Sequence, residues 1–588
     1  METMDDIYPE PAGNAGRGRT PLIATCTVLV LLSCCCALGA GLIVTLDPFD
    51  WNLVARLTGR YDAAAEAIPA EADVYIGIDL LRLQSADAER VFQAFAERVP
   101  GSEFSSTEDF LHDLDEEMER DAGFNLTDDV LPWVGQHAGL GIMNLELDEF
   151  GEIDTGEFIF AAAIRDRVAA EAFAVLFEDR IETESGETLQ AEEYEGSTIY
   201  SLPGYQGSGI AFAIHRGMFL LSPDAAGIRA SIDARSGDSF MDTENFSELS
   251  GELPREALLT VFASQSALEK LAGSLGQGIP STSSLYSNVP FLNGALSLSF
   301  VAEGIRVDYA VKFDPESLSE PRRQQLDLIT SATTIDARLP ETTLLFVGGR
   351  GLPLAIELAR EKMSASERGA FDESLDALEA ELGFSLANDL LANLDGEYAI
   401  AALPSRDGML ASREIDLGIA VLFETGNPAG LDPVLDGIER LLEDELGTAP
   451  DPVDLDGTAF FQVGDPFLGE LLAYGVVNDL FLIATSARTA AEVLREGPSL
   501  AENPEYQAAG QVLPDRMNRT LYVNVSGLLG AIREGMSSSD RESFDNEIGS
   551  ALSPIDIIAM GSRLAGPWTR VGTLIFLIPG GSEGDHAR

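Results

Sequence analysis

The sequence predicts an α+β fold: an N-terminal transmembrane helix followed by two tandem similar domains, each an antiparallel sheet with helices packed on one face. Three observations lead there. Residues 21–46 form an uncharged apolar run, and the rest of the chain can be laid against itself at a nearly constant offset. Each half also alternates helix-period stretches with short β-branched and aromatic runs joined by turn residues.

Residues 1–20 read as a short cytoplasmic tail, with Arg17 and Arg19 just before the apolar run. The run itself, "PLIATCTVLVLLSCCCALGAGLIVTL", would extend about 39 Å as a helix at ~1.5 Å per residue. That exceeds a bilayer core of about 30 Å. Asp47 and Asp50 follow it, with Phe49 and Trp51 placed for the far interface. The charge bias predicts a single-pass protein of the cell membrane, its N-terminus cytoplasmic and its bulk extracytoplasmic. The predicted partner of residues 21–46 is thus the lipid bilayer. All four cysteines, Cys26, Cys34, Cys35 and Cys36, lie inside the run, so the body has none for disulfides or thiolate metal sites. "LLSC", ending at Cys34, loosely resembles a lipobox, but the apolar sequence continues beyond it as a spanning helix requires. Residues 47–67 read as a juxtamembrane helical stalk.

From Ile68 onward the chain repeats. "GFNLTDDVLPWVG" from Gly123 matches "GFSLANDLLANLDG" from Gly383, and "EYEGSTIYSL" from Glu193 matches "DLDGTAFFQV" from Asp454. "AFAIHRGMFLLS" from Ala211 meets "AYGVVNDLFLIA" from Ala473, "SFMDTENF" meets "SLAENPEY", and "IPAEADVYIGIDL" meets "LPETTLLFVGGRG". Collinear matches of this kind indicate an internal duplication. They set a first repeat at 68–313, a linker at 314–338 containing a helix over "EPRRQQLDLITSA", a second repeat at 339–578 and a disordered tail at 579–588. Arg216-Gly217, Asn478-Asp479 and Glu303-Gly304 are the predicted hairpin turns, since Gly, Asn and Asp tolerate positive φ.

With 588 residues the chain exceeds what one core usually organises. Its 98 acidic against 37 basic residues give a formal net charge of -61. This excludes nucleic acid as a partner, because such binding depends on neutralising phosphates with Lys and Arg.

Candidate chemistry is sparse. His112, His137, His215 and His586 are the only histidines, and no two have the spacing of a local metal motif. "ELDEFGEIDTGE" groups Asp148, Glu149, Glu152, Asp154 and Glu157 between two strands and could offer hard oxygen ligands to calcium. It lacks the EF-hand order, as does "DPVDLDG" from Asp451. P-loop, ordered G-x-G-x-x-G and G-x-S-x-G motifs are absent, and "GYQGSG" reads as a turn, with Ser208 lacking a local catalytic partner. The paired acids Glu193 and Glu195, against Asp454 and Asp456, alternate with Tyr194 and Leu455; this predicts a strand with acids in water and an apolar side on the core. No catalytic residue, cofactor-binding residue or metal ligand is predicted, and no cofactor.

The Pro-turn strand at Ile68, "GFNLTDDVLPWVG", "YEGSTIY", "GMFLLS" and "SFMDTENF" together resemble the domain of unknown function 3352 family. That resemblance implies a bacterial, exported or membrane-anchored protein with no catalytic residues to transfer. The second copy departs from the first by Gly349-Arg350 where the first has Ile78-Asp79. The expected function is non-enzymatic: an envelope protein binding a protein partner or an apolar or lipid ligand. An envelope hydrolase using carboxylates, with or without calcium, and a structural spacer are the alternatives.

Overall fold

A computed structural model describes residues 62–579 apart from 100–104, 148–152, 203, 205–208, 271–290, 330, 409, 411–414, 447–448, 456 and 466–468. The apolar run and the first part of the stalk fall outside these residues. Among the described residues no helix is long and apolar enough to cross a membrane.

The first half contributes ten strands: β1 Val74–Ile78, β2 Val134–Leu147, β3 Ile153–Ile164, β4 Gln190–Tyr194, β5 Ser197–Leu202, β6 Ile210–His215, β7 Met218–Ser222, β8 Leu259–Ser264, β9 Phe291–Val301 and β10 Gly304–Phe313. The second half supplies β11 Leu345–Arg350, β12 Glu397–Pro404, β13 Leu417–Glu424, β14 Asp451–Leu455, β15 Thr458–Asp465, β16 Gly469–Val477, β17 Leu480–Ala484, β18 Asn518–Asn524, β19 Ile557–Leu564 and β20 Thr569–Leu577.

All twenty belong to one antiparallel sheet. Its spatial order runs β4-β5-β6-β7-β3-β2-β1-β8-β9-β10 and then β20-β19-β18-β11-β12-β13-β17-β16-β15-β14. The second half repeats the first in reverse, each strand number raised by ten. The halves meet where β10 pairs β20, with Asp308 opposite Thr573. Isolated bridges repeat as well, Pro69 with Ser239 and Pro340 with Ser499.

Local devices recur at matching places. A single π-turn spans Leu126–Val130 and again Leu386–Leu390, capped by the side chains of Asn125 and Ser385. Helices α2 (Thr107–Ala122) and α8 (Ala365–Leu382) end on Gly123 and Gly383, both left-handed. A Cβ on Gly123 would stand 2.4 Å from the Arg180 guanidinium, and one on Gly383 2.7 Å from that of Arg440. Glycine thus serves both the backbone angle and the close approach.

Helices cover both faces of the sheet, which corrects the expectation of one covered face. On one face α1 (Ala86–Arg98), α2 and α3 (Arg167–Ser185) bury Val91, Phe92, Phe110 and Ala170 against Ile76, Phe160 and Phe212. On the other, α4 (Ala225–Ala234) and α5 (Glu244–Ser250) bury Ile228, Ile232, Phe246 and Leu249 against Tyr75, Ile159 and Ala213. The cause is visible in β3, whose "FIFAAAI" run is apolar on both sides and needs two covers.

Two boundaries move accordingly. Ala63, Ala64, Ala65 and Ala67, assigned to the stalk, are buried in the first core. Their small side chains let the chain lie close to α4, where Ser231 Oγ donates to the Ala67 carbonyl at 2.6 Å. The 314–338 connection is packed too. Its helix α6 (Glu320–Ile329) buries Leu326 beside Phe313 and Leu318, and Ile335 is fully buried in the second core.

An aromatic cluster anchors each half. Tyr75, Phe240, Phe246 and Phe262 meet in the first, and Phe346, Tyr506 and Tyr522 in the second. Each cluster has one hydroxyl held by an aspartate near the lead-in turn: Tyr75 on Asp62 at 2.5 Å and Tyr506 on Asp336 at 2.8 Å. The hydroxyl sits on a different ring of the cluster in each half, so the duplicated core has retained the aspartate bond while changing its donor.

Candidate functional site

A recess with a volume of about 890 Å³ lies in the first half, between α3 and strands β5 and β6. Its floor follows from strand alternation. Tyr200 on β5 and Phe212 and Ile214 on β6 point to the α3 side, and the Tyr200 and Phe212 rings stack at 5.2 Å. Ile164 and Ala174 complete the apolar lining. Along α3, Val168 is 77% exposed, Val175 65% and Leu176 43%, an apolar ridge left open to solvent at the groove's edge.

One end of the groove is polar and carefully built. Asp166 caps α3, accepting from the backbone N–H groups of Val168 and Ala169. Arg165 Nη2 donates to the carbonyls of Leu131 and Pro132, at 2.9 and 3.2 Å. The Ile164 amide donates to the Gly217 carbonyl at 2.5 Å, which places the Arg216-Gly217 turn beside Arg165. The turn is as the sequence predicts, with φ of 43° at Arg216 and 80° at Gly217. Arg167 is tied to Glu171 at 2.8 Å, whereas neither Arg165 nor Arg216 has an ion-pair partner among the described residues.

The second half keeps this frame and discards the chemistry. The Thr425 amide donates to the Asp479 carbonyl at 2.9 Å, the counterpart of Ile164 and Gly217. At the aligned positions Gly426 stands for Arg165, Val477 for His215 and Asn478 for Arg216. Helix α9 (Asp432–Leu446), the counterpart of α3, turns Leu435, Ile438 and Leu441 inward.

His215 and Ser197 form a cross-strand pair, Ser197 Oγ lying 3.0 Å from His215 Nδ1. They face α4, away from the groove floor, and His215 is 2% exposed. Burial lowers its pKa from 6.5 to about 4, helped by the nearby charges of Arg216 and Arg235. Its Nε2 has no hydrogen-bond partner. An imidazole of such low basicity, with no acid orienting it among the described residues, lacks two features of a catalytic serine base. Between pH 6.5 and 4 the unfolded chain binds a proton that the native His215 does not, so stability falls as pH drops through that window. The His215 imidazole should keep its neutral NMR signature from pH 8 to pH 5; a protonated signal at pH 6 would contradict the burial argument.

The other sequence candidates are dispersed. His112 is exposed on α2, 3.6 Å from Glu116, and His137 on β2 lies 3.8 Å from Asp62. His586, Ser208, Asp148, Glu149, Glu152 and Asp456 fall outside the described residues, and the described Asp154 and Glu157 lie on β3. Among the described residues no group of three His, Cys, Asp or Glu side chains could hold a metal. Glu193 lies on an exposed strand and accepts from Thr198 Oγ1 at 2.7 Å. Glu195 does not share its strand face, as the alternation suggested, but occupies the turn with φ 46°. Tyr194 and Leu455 do pack toward the cores.

The topology gives those acids another meaning. β4 and β14 are the two free edges of the sheet, and they carry Glu192, Glu193, Asp451, Pro452 and Asp454. Charge and proline on an edge strand block pairing with a further strand.

The fold and groove define an α+β protein with a duplicated half-sheet and one specialised copy. The chain belongs to the family described as Protein of unknown function (DUF3352), whose model matches residues 27–576. No curated protein matches it. Among solved structures, crystal form III of TP0453 is similar at 10% identity over 45% of this chain and 85% of that chain, with a TM-score of 0.23. Crystal form I of TP0453 is similar at 8% identity over 45% and 84%, with a TM-score of 0.24. At such scores neither likeness bears on fold or function.

Proposed function

We propose that the protein is a non-enzymatic binding protein of the cell envelope. Residues 21–46 tether it, the body lies outside the cytoplasm, and an apolar or acyl-bearing ligand occupies the groove along α3. One observation carries this reading: beside α3 the partly buried Tyr200 and Ile214 line a recess edged by the exposed Val175. A volume of about 890 Å³ falls in the range of small-molecule sites, roughly 300–1,000 Å³.

The test is extraction of the full-length protein, purified in amphipol, followed by mass spectrometry of the organic phase. An amphiphile near one per chain is expected from the wild type and its loss from Ala174→Trp, which fills the groove. Empty extracts from both proteins, or equal content in both, would remove the groove as the binding site. For topology, Glu193→Cys in a background without the four native cysteines should react with an impermeant thiol reagent on intact cells. Protection of that cysteine would reverse the orientation.

A further inference from the structure

The two ends of the groove differ in charge, and the difference selects a ligand. Arg165 and Arg216 are brought together by the Ile164 to Gly217 hydrogen bond, at the N-terminal end of the nineteen-residue helix α3. The Asp166 carboxylate already takes up the free amides of that helix end, so the arginines carry the argument by themselves. The acids nearby have been accounted for. Glu171 is bound to Arg167, and Glu178 lies about 16 Å farther along the helix axis from Arg167, eleven residues at ~1.5 Å each. Glu195 stands at the β4–β5 turn, two strands from Arg216, about 10 Å away at the usual strand spacing.

This end therefore holds two arginines without an ion-pair partner among the described residues, in a chain of net charge -61. Away from this end the lining turns apolar, through Ile214, Phe212, Tyr200, Ala174 and Val175. Between Val168 and Glu178 the helix runs about 15 Å, the length of a medium acyl chain.

Resting on the groove reading above, we infer that the ligand is a single-chain amphiphile with an anionic head, its head held between Arg165 and Arg216 and its chain along Tyr200, Phe212 and Val175. The second half cannot take it, because Gly426 and Asn478 replace both arginines.

Photolabelling of the full-length chain in membrane vesicles tests this, using a diazirine-bearing dodecanoic acid and its methyl ester. The acid should label the α3 and β5–β6 peptides about fivefold more than the ester, in line with exposed charge contacts of modest strength. Arg216→Asn, which copies the second half's turn residue, should lower acid labelling to the ester level and leave ester labelling unchanged; the retained ester labelling shows that the groove is still folded. Equal labelling by acid and ester in the wild type would overturn the anionic head while leaving the groove in place. Labelling of these peptides by neither probe would overturn both. Acid labelling that survives Arg216→Asn undiminished would move the head elsewhere.

Discussion

Glu397→Ala is expected to lower unfolding stability by about 3–5 kcal/mol, the range for breaking a buried charge pair by removing one partner. The Glu397 side chain is fully buried at the start of β12. It accepts from the backbone amides of Thr334 and Ile335 at 2.7 and 2.6 Å, and from Arg350, whose Nε lies at 3.0 Å. Alanine leaves two amides at the lead-in turn without an acceptor in a place water does not reach, while Arg350, partly exposed, can turn outward. Glu397→Gln keeps one carbonyl oxygen and should lose markedly less. Denaturant unfolding followed by circular dichroism measures both; an alanine variant within 1 kcal/mol of wild type would show that the turn finds other acceptors.

The aligned positions in the first half explain the sequence departure at Gly349-Arg350. There the acid is Asp79, next to β1, and the base is His137 on β2, so acid and base have exchanged strands. Asp79 uses its carboxylate locally, accepting from the Leu81 amide and pairing with Arg82 at 3.3 Å, and burial pushes its pKa up. The swap keeps an acidic and a basic residue in register across the two strands, but Asp79 pairs with Arg82 and His137 lies 3.8 Å from Asp62, so the lead-in turn passes to different groups.

Trp133→Ala should cost about 3–5 kcal/mol as well, the usual figure for a large ring removed from a core. Trp133 is 2% exposed, with Phe173 at 5.2 Å and Phe219 at 5.5 Å between ring centres. Its indole N–H donates to the Asp129 carbonyl, and its own carbonyl accepts from the amides of Arg165 and Asp166. The residue therefore fixes both the π-turn before β2 and the start of α3. Loss of the amphiphile proposed for the groove should accompany the loss of stability. Trp133→Phe, which preserves most of the packing, should retain ligand. A Trp133→Ala protein with wild-type ligand content would disconnect this core residue from the site.

Much of the repeat unit was legible because its signals are local. The paired π-turn segments, the turns at Arg216-Gly217 and Asn478-Asp479 and the β9–β10 hairpin are each written within a dozen residues; the last turns one residue earlier than read, with Val301 opposite Gly304. The junction was not legible, because β10 and β20 each close their own half of the chain, far apart in sequence, and nothing in either strand names its partner. Two-sided burial was missed for a different reason. Alternation in β4 suggested one wet face, but β4 is an edge, whereas interior β3 is apolar throughout. The groove was hidden because Arg165 and Arg216 look like isolated surface charges until the Ile164 amide joins their turns. Comparing the copies could have exposed them, since Gly426 and Asn478 occupy the same frame without charge.

The pairing of β10 with β20 also sets a clock for biogenesis. β10 emerges near the midpoint of synthesis, but its neighbour ends at Leu577 of 588 residues. For the whole time the second half is being made, the first half carries a naked strand edge along Ile305, Val307 and Tyr309. Such an edge invites pairing with any passing chain. A long-range closure of this kind is slow by topology. The last strand to leave the ribosome is the one that seals the middle of the sheet, so truncated chains should be the most adhesive species the cell makes from this gene.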